Sequence, residues 1–195
     1  MSVLAATFLT MAVAAVPAGG SVPAGGSVPA GGSVPAGQVV IAHEHFGSSP
    51  RTAVTYDPAS VPRGSHVAVV GLPHPDGTTT VVLGVAGLER NRTYGAHVHT
   101  KPCGAKPEDA GPHYQNVMDP VQPSVDPAYA NARNEVWLDF TTNGHGMGGA
   151  MTTVDWRFRS KGAGSLVVHE HATQTHRGHA GTAGARLACV TVPFG

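Results

Sequence analysis

Thr78-Thr79-Thr80-Val81-Val82-Leu83-Gly84-Val85-Ala86-Gly87-Leu88 sets the period that governs this chain. β-Branched residues dominate it, they alternate with smaller or polar ones, and Pro75-Asp76-Gly77 just upstream is a turn signal. A run of this kind reads as a strand with one face toward a core. Working outward, the same character appears at Thr52–Asp57, Ser65–Gly71, Tyr94–His99, Glu135–Thr142, Ala150–Arg159, Ser165–His169 and Arg186–Val192. No helix longer than a turn is expected. The economical architecture is all-β: an eight-stranded antiparallel Greek-key sandwich or barrel. Trp137 and Trp156 fall in predicted strands and read as core or interface aromatics.

Two stretches break the period: proline-rich Lys101–Ala132 and the shorter His171–Gly184. Loops of about 30 residues are uncommon in compact domains and are usually functional. The N-terminal part is different again. Val3–Val16 is an uncharged apolar run followed by small residues, which reads as a signal peptide over 1–18, although no Lys or Arg precedes Arg51. It is too short to remain as a membrane span, which needs roughly 20 apolar residues. Three tandem copies of Val-Pro-Ala-Gly-Gly-Ser with a fourth begun fill 16–37 and read as a flexible spacer. Residues 38–51, including His43-Glu44-His45, read as a solvated linker, and 52–195 as the folded domain.

The 195 residues suffice for one ordinary domain plus a tail. Formal net charge is zero and only 12% of residues are charged, which argues against a nucleic-acid partner. Twelve histidines stand against 12 Lys+Arg, an odd ratio that puts metal first among the questions. Cys103 and Cys189 are either two buried thiols or, if the chain is exported to the cell envelope or beyond, a disulfide.

His97-Val98-His99 ends a predicted strand, and residues two apart on a strand share a face, so both imidazoles can meet one ion. His113 lies in the first long loop and His169 ends another strand. Four imidazoles suit copper, and zinc accepts them too.

These segments carry a resemblance. Thr93-Tyr94-Gly95-Ala96-His97-Val98-His99, Ala110-Gly111-Pro112-His113-Tyr114, Val167-Val168-His169-Glu170 and Gly184-Ala185-Arg186-Leu187-Ala188-Cys189 resemble, in order, signature segments of the Cu/Zn superoxide dismutases. The resemblance implies copper ligands His97, His99, His113 and His169, and a guanidinium, Arg186, that receives the superoxide anion. It also implies an intrasubunit disulfide between Cys103 and Cys189. The expected reaction converts superoxide to oxygen and hydrogen peroxide.

The chain departs from the family's pattern where zinc should bind. Tyr114–Asn143 contains no histidine, only Asp119 and Asp126 offer oxygen ligands near the expected place, and no aspartate closely follows His169. A copper-only site is therefore expected, with zinc absent. His171, His176 and His179 read as loop histidines, as an auxiliary copper-capture site or, in last place, as a relocated zinc site that uses them or His145. The rival to an exported dismutase is a copper-binding or buffering protein of the same fold. A displayed structural module is the third reading, and oligomeric state is not legible.

Overall fold

Alternation becomes two antiparallel sheets packed face to face. The computed structural model describes residues 37–49 and 51–195; the expected signal peptide and nearly all of the repeat spacer lie outside them. The described residues form ten strands: β1 (Val40–His45), β2 (Ser48–Ser49), β3 (Ala53–Thr55), β4 (His66–Pro73), β5 (Thr79–Ala86), β6 (Thr93–His99), β7 (Phe140–Thr141), β8 (Gly148–Val154), β9 (Ser165–His169) and β10 (Arg186–Thr191). One sheet runs β1-β4-β5-β8, and the other β2-β3-β10-β9-β6-β7. The chain changes sheets five times, between β1 and β2, β3 and β4, β5 and β6, β7 and β8, and β8 and β9, so sequence neighbours are not always ladder neighbours. No ladder joins the two sheets among the described residues, and the sandwich is therefore open rather than a closed barrel. The one helical turn among the described residues is a 3-10 turn at Pro107–Ala110.

Three expectations need correction. Residues 38–51 are not a linker: β1 pairs with β4 from Val40↔Gly71 to His45↔His66, so the folded unit begins by Val40. Val40 and Ala42 reach the core while Ile41, His43 and His45 face out, which gives an edge strand two apolar anchors and an outer face of one isoleucine and two histidines. The strand expected over Glu135–Thr142 shrinks to Phe140–Thr141 with one further bridge, His97↔Trp137. The strand expected over Ala150–Arg159 starts earlier and stops at Val154. Beyond it Trp156 and Phe158 leave the ladder to pack on Tyr114, at ring-centroid distances of 5.5 and 5.0 Å.

Period two also sorts the faces of the larger sheet. Tyr94, Ala96 and Val98 of β6, Leu166 and Val168 of β9, and Ala188 and Val190 of β10 join the central core. His97, His99, Val167, His169 and Cys189 therefore stand on the opposite, outer face. The two irregular segments cover that face. Under the first of them Val54, Cys103, Ala110, Val167 and Cys189 form a small satellite core. The Cys103–Cys189 disulfide, with Cα atoms 5.7 Å apart, ties that loop to β10. Closing a loop of 86 residues is worth on the order of 4–5 kcal/mol on the chain-entropy account. Cys103→Ala/Cys189→Ala is expected to lose stability of about that size in urea unfolding. A loss under about 1 kcal/mol would show that the loop is held by packing instead.

Gly95 lets the second loop sit close to β6. A Cβ there would meet the His171 carbonyl at 2.6 Å and the Ala183 Cβ at 2.8 Å.

Candidate metal centre

His97 and His99 arrive on the outer face by strand alternation, and the ladder brings the other two. β6 pairs with β9 on one side, where Gly95 faces His169. On its other side the neighbour is β7 and then Trp137 opposite His97, after which the long loop takes over with His113 opposite His99. The Tyr114 amide donates to the Val98 carbonyl at 2.8 Å and holds this last crossing in place. All four histidines converge, each offering a ring nitrogen within 4.8 Å of the others. Ring centroids lie 4.1 Å apart for His97–His113, 4.8 Å for His99–His113 and 5.4 Å for His99–His169. His97, His99 and His169 are buried, and His113 is partly exposed.

Hydrogen bonds to the far nitrogens decide which nitrogen each ring offers. A neutral imidazole has one N–H and one lone pair. His99 Nδ1 donates to the Gly111 carbonyl at 2.9 Å, leaving Nε2 as the lone-pair atom. Gly111 follows the 3-10 turn at φ +72°, a conformation that favours glycine, and so aims its carbonyl at the ring. His97 Nε2 donates to Thr173 Oγ1 at 2.7 Å, and that hydroxyl donates in turn to Asp139 Oδ1 at 2.6 Å. His97 Nδ1 is then a buried lone pair without a hydrogen-bond partner.

His113 Nδ1 donates to Glu135 Oε2 at 2.9 Å. The same oxygen accepts Trp137 Nε1 at 2.7 Å, and Oε1 accepts Gln115 Nε2 at 2.8 Å. Gln115 is locked in that orientation because its own Oε1 accepts the Asp119 amide at 2.9 Å. Glu135, 1% exposed, thus has three donors and keeps His113 Nε2 free for the cluster.

His169 and His99 face each other through Nε2 atoms 3.2 Å apart. Without a cation one of the pair must carry its proton inward, and on His169 that leaves Nδ1 buried and unpartnered. The Gly184 carbonyl lies near His169 and raises its pKa slightly, but it does not complete a hydrogen bond. Burial comes first among the causes that push His169 down to about 3, followed by the charges of His113 and Arg186. Burial and the neighbouring histidines likewise hold His97 and His99 well below the ordinary imidazole range.

Converging lone pairs, the orphaned buried Nδ1 of His97 and suppressed protonation are what a cation site of imidazoles requires. The four residues fit a metal ion.

Arg186 stands beside the cluster, its Cα paired with that of His169. It reaches the histidine face because β10 carries a bulge between Arg186 and Ala188. Leu187 and Ala188 both join the core, so the extra residue shifts the alternation and brings Arg186 out with Cys189. The half-buried guanidinium donates through Nη1 to the Pro107 carbonyl at 2.8 Å, and burial lowers its pKa.

The remaining sequence candidates separate from this centre. Asp119 is a loop organiser, accepting the Val121 amide and the Ser124 hydroxyl at 2.8 and 2.7 Å. Asp126 accepts the Ala128 amide at 2.9 Å. His171, His176 and His179 are exposed on the second loop. Sequence reasoning missed Glu135, Asp139 and Thr173, and it placed Trp137 as a generic aromatic. None of these residues has a local motif; a glutamate two positions before a tryptophan was the one available signal.

No family model matches the chain, and no curated protein matches it. Solved structures do. The clock protein EA4 aligns with a TM-score of 0.54 at 18% identity, covering 84% of this chain and 98% of its own. A double mutant of a SOD-like protein from Bacillus subtilis aligns with a TM-score of 0.51 at 19% identity, covering 68% of this chain and 92% of its own. At such identities the likeness is one of fold. The chain has a SOD-like β-sandwich with a buried four-histidine centre able to bind a metal.

Proposed function

We propose that this chain is an exported superoxide dismutase with a single copper ion held by His97, His99, His113 and His169. The observation that carries the reading is the convergence of four imidazole nitrogens beside the half-buried charge of Arg186. Imidazole suits copper, and Cu(II) stands at the top of the divalent affinity order. Copper held there would supply one-electron redox chemistry, by which two superoxide ions and two protons would become oxygen and hydrogen peroxide.

The protein's own residues supply the rest. Arg186 offers fixed positive charge that draws a small anion to the cluster and orients it. Glu135 and the Thr173–Asp139 pair hold His113 and His97 by their far nitrogens, so each ring presents one lone pair. That arrangement favours one ion over two, because the far nitrogen of His113 is already engaged by a carboxylate. Export agrees with the Cys103–Cys189 disulfide, a bond that persists in oxidising compartments. Among the described residues no helix is long and apolar enough to cross a membrane.

The test is metal content and superoxide removal by the full chain, with Arg186→Lys and Arg186→Ala. Steering by charge is worth about 10- to 1,000-fold in encounter rate. Arg186→Ala is expected to lose at least about tenfold, together with most of the salt dependence, while Arg186→Lys keeps part of both. Bound copper with no superoxide removal would replace the proposal with a copper-binding protein. An Arg186→Ala rate equal to the parent's would remove Arg186 from the mechanism.

A further inference from the structure

A second group of imidazoles lies on the other side of the sandwich. Because Val40 and Ala42 of β1 face the core, His43 and His45 both face solvent. On β4 the buried residues are Val67, Val69 and Gly71, so His66 shares that outer face. The register sets His66 directly opposite His45, and Ala68 opposite His43. His66 is therefore one cross-strand step from the first and one diagonal from the second. The ring centroids lie 4.1 Å apart for His45–His66 and 6.4 Å for both His43–His66 and His43–His45.

Two features make this face more than a chance cluster of polar side chains. His45 Nδ1 donates to the Gly64 carbonyl at 3.3 Å, which leaves Nε2 as its lone-pair atom. The next positions across the ladder are small: Gly84 is opposite Ala68, and Ala86 is opposite His66. No bulky neighbour on β5 covers the three rings.

We infer that His43, His45 and His66 form a second, solvent-open metal site that takes a borderline divalent transition ion, Cu(II) binding tightest. The donor set gives the class. Three imidazoles without a carboxylate do not suit Ca²⁺ or Mg²⁺, which need oxygen ligands. Without a thiolate or thioether there is nothing to select Cu(I). Cu(II) leads the affinity order for nitrogen sites, ahead of both Ni(II) and Zn(II). Bringing each nitrogen to about 2.0–2.1 Å of an ion requires the rings to turn toward one another. All three are exposed, so that adjustment needs no repacking of the core. The centre under the two loops is enclosed, whereas an ion on this open face exchanges directly with solvent, which fits capture rather than retention.

The full chain, held in equilibrium dialysis against free Cu(II), tests this through copper per chain and the EPR spectrum. His43→Ala/His66→Ala is expected to bind one equivalent less than the parent and to lose one of its Cu(II) signals. His66→Ala alone is expected to weaken that equivalent at least about tenfold. The difference between parent and variant does not depend on occupancy of the buried centre. His176→Ala/His179→Ala is the control, because those exposed rings are 4.9 Å apart. That control is expected to keep the outer-face equivalent. Equal copper content in the parent and His43→Ala/His66→Ala would overturn the site, as would a loss of the extra equivalent in the control instead.

Discussion

Acid should unfold the metal-free protein along an unusually steep course beginning below about pH 6.5. His97, His99 and His169 are held neutral in the fold, first by burial and then by their charged neighbours. In the unfolded chain they regain an ordinary pKa near 6.5. The sign follows from proton uptake: between the folded and unfolded pKa values the unfolded state binds more protons, so stability falls as pH falls. The contribution is complete above about 6.5 and, for His169, is exhausted only near its folded value of about 3.

Each such group is worth up to about 1.4 kcal/mol per pH unit, so the three together approach about 4 kcal/mol per unit. A domain stabilised by roughly 5–15 kcal/mol cannot absorb that slope over more than a few units. Urea midpoints measured at pH 7, 6 and 5 should fall steeply, before carboxylates begin to titrate. Copper at about 1,000 times its Kd would add about 4 kcal/mol and move the acid transition down by about one unit. A stability that stays flat from pH 7 to pH 5 would mean that the histidines are not confined as described.

Glu135→Ala is the substitution expected to do most damage at a single position. It leaves His113 Nδ1, Trp137 Nε1 and Gln115 Nε2 without their acceptor in a pocket where the glutamate was 1% exposed. Gln115 cannot rotate to compensate, because its carbonyl oxygen already serves the Asp119 amide. Breaking a buried charged network in this way costs about 3–5 kcal/mol. The effect on the ion is separate. Without an acceptor at Nδ1, His113 is free to carry its proton on Nε2, the atom the cluster needs, and loss of such a partner weakens metal binding about 10- to 100-fold. Glu135→Gln keeps one acceptor oxygen and should fall between the parent and Glu135→Ala in both readouts. Calorimetric unfolding and a competitive copper titration separate the two effects. If Glu135→Ala unfolds and binds copper like the parent, the carboxylate does not position His113.

The large strands were legible because period two is a local property. Residues 65–71, 78–88 and 165–169 each show it without help from the rest of the chain. The same rule put His97 and His99 on one face, and the resemblance supplied His113 and His169. What was missed depends on contacts between distant segments. β1 looked like a linker because Gly and Ser surround a strand with only two core-facing anchors, Val40 and Ala42. Its pairing is visible only once β4 is beside it. Glu135, Asp139 and Thr173 act on rings 22 to 76 positions away or on one another, and no spacing along the chain announces that. The expected strand around Trp137 failed for a related reason: Glu135 turns to the His113 ring rather than extending a ladder.

The bulge at Leu187 makes the residue count of β10 part of its chemistry. Arg186 and Cys189 both serve the loop-covered side, yet they are three positions apart, an odd interval that an unbroken strand would send to opposite sides. Shortening this segment by one residue would point the guanidinium at the apolar interior or swing the sulfur away from Cys103. Side chains along β10 can be exchanged within ordinary packing limits, but insertions and deletions there would disconnect charge, crosslink and imidazoles at a stroke.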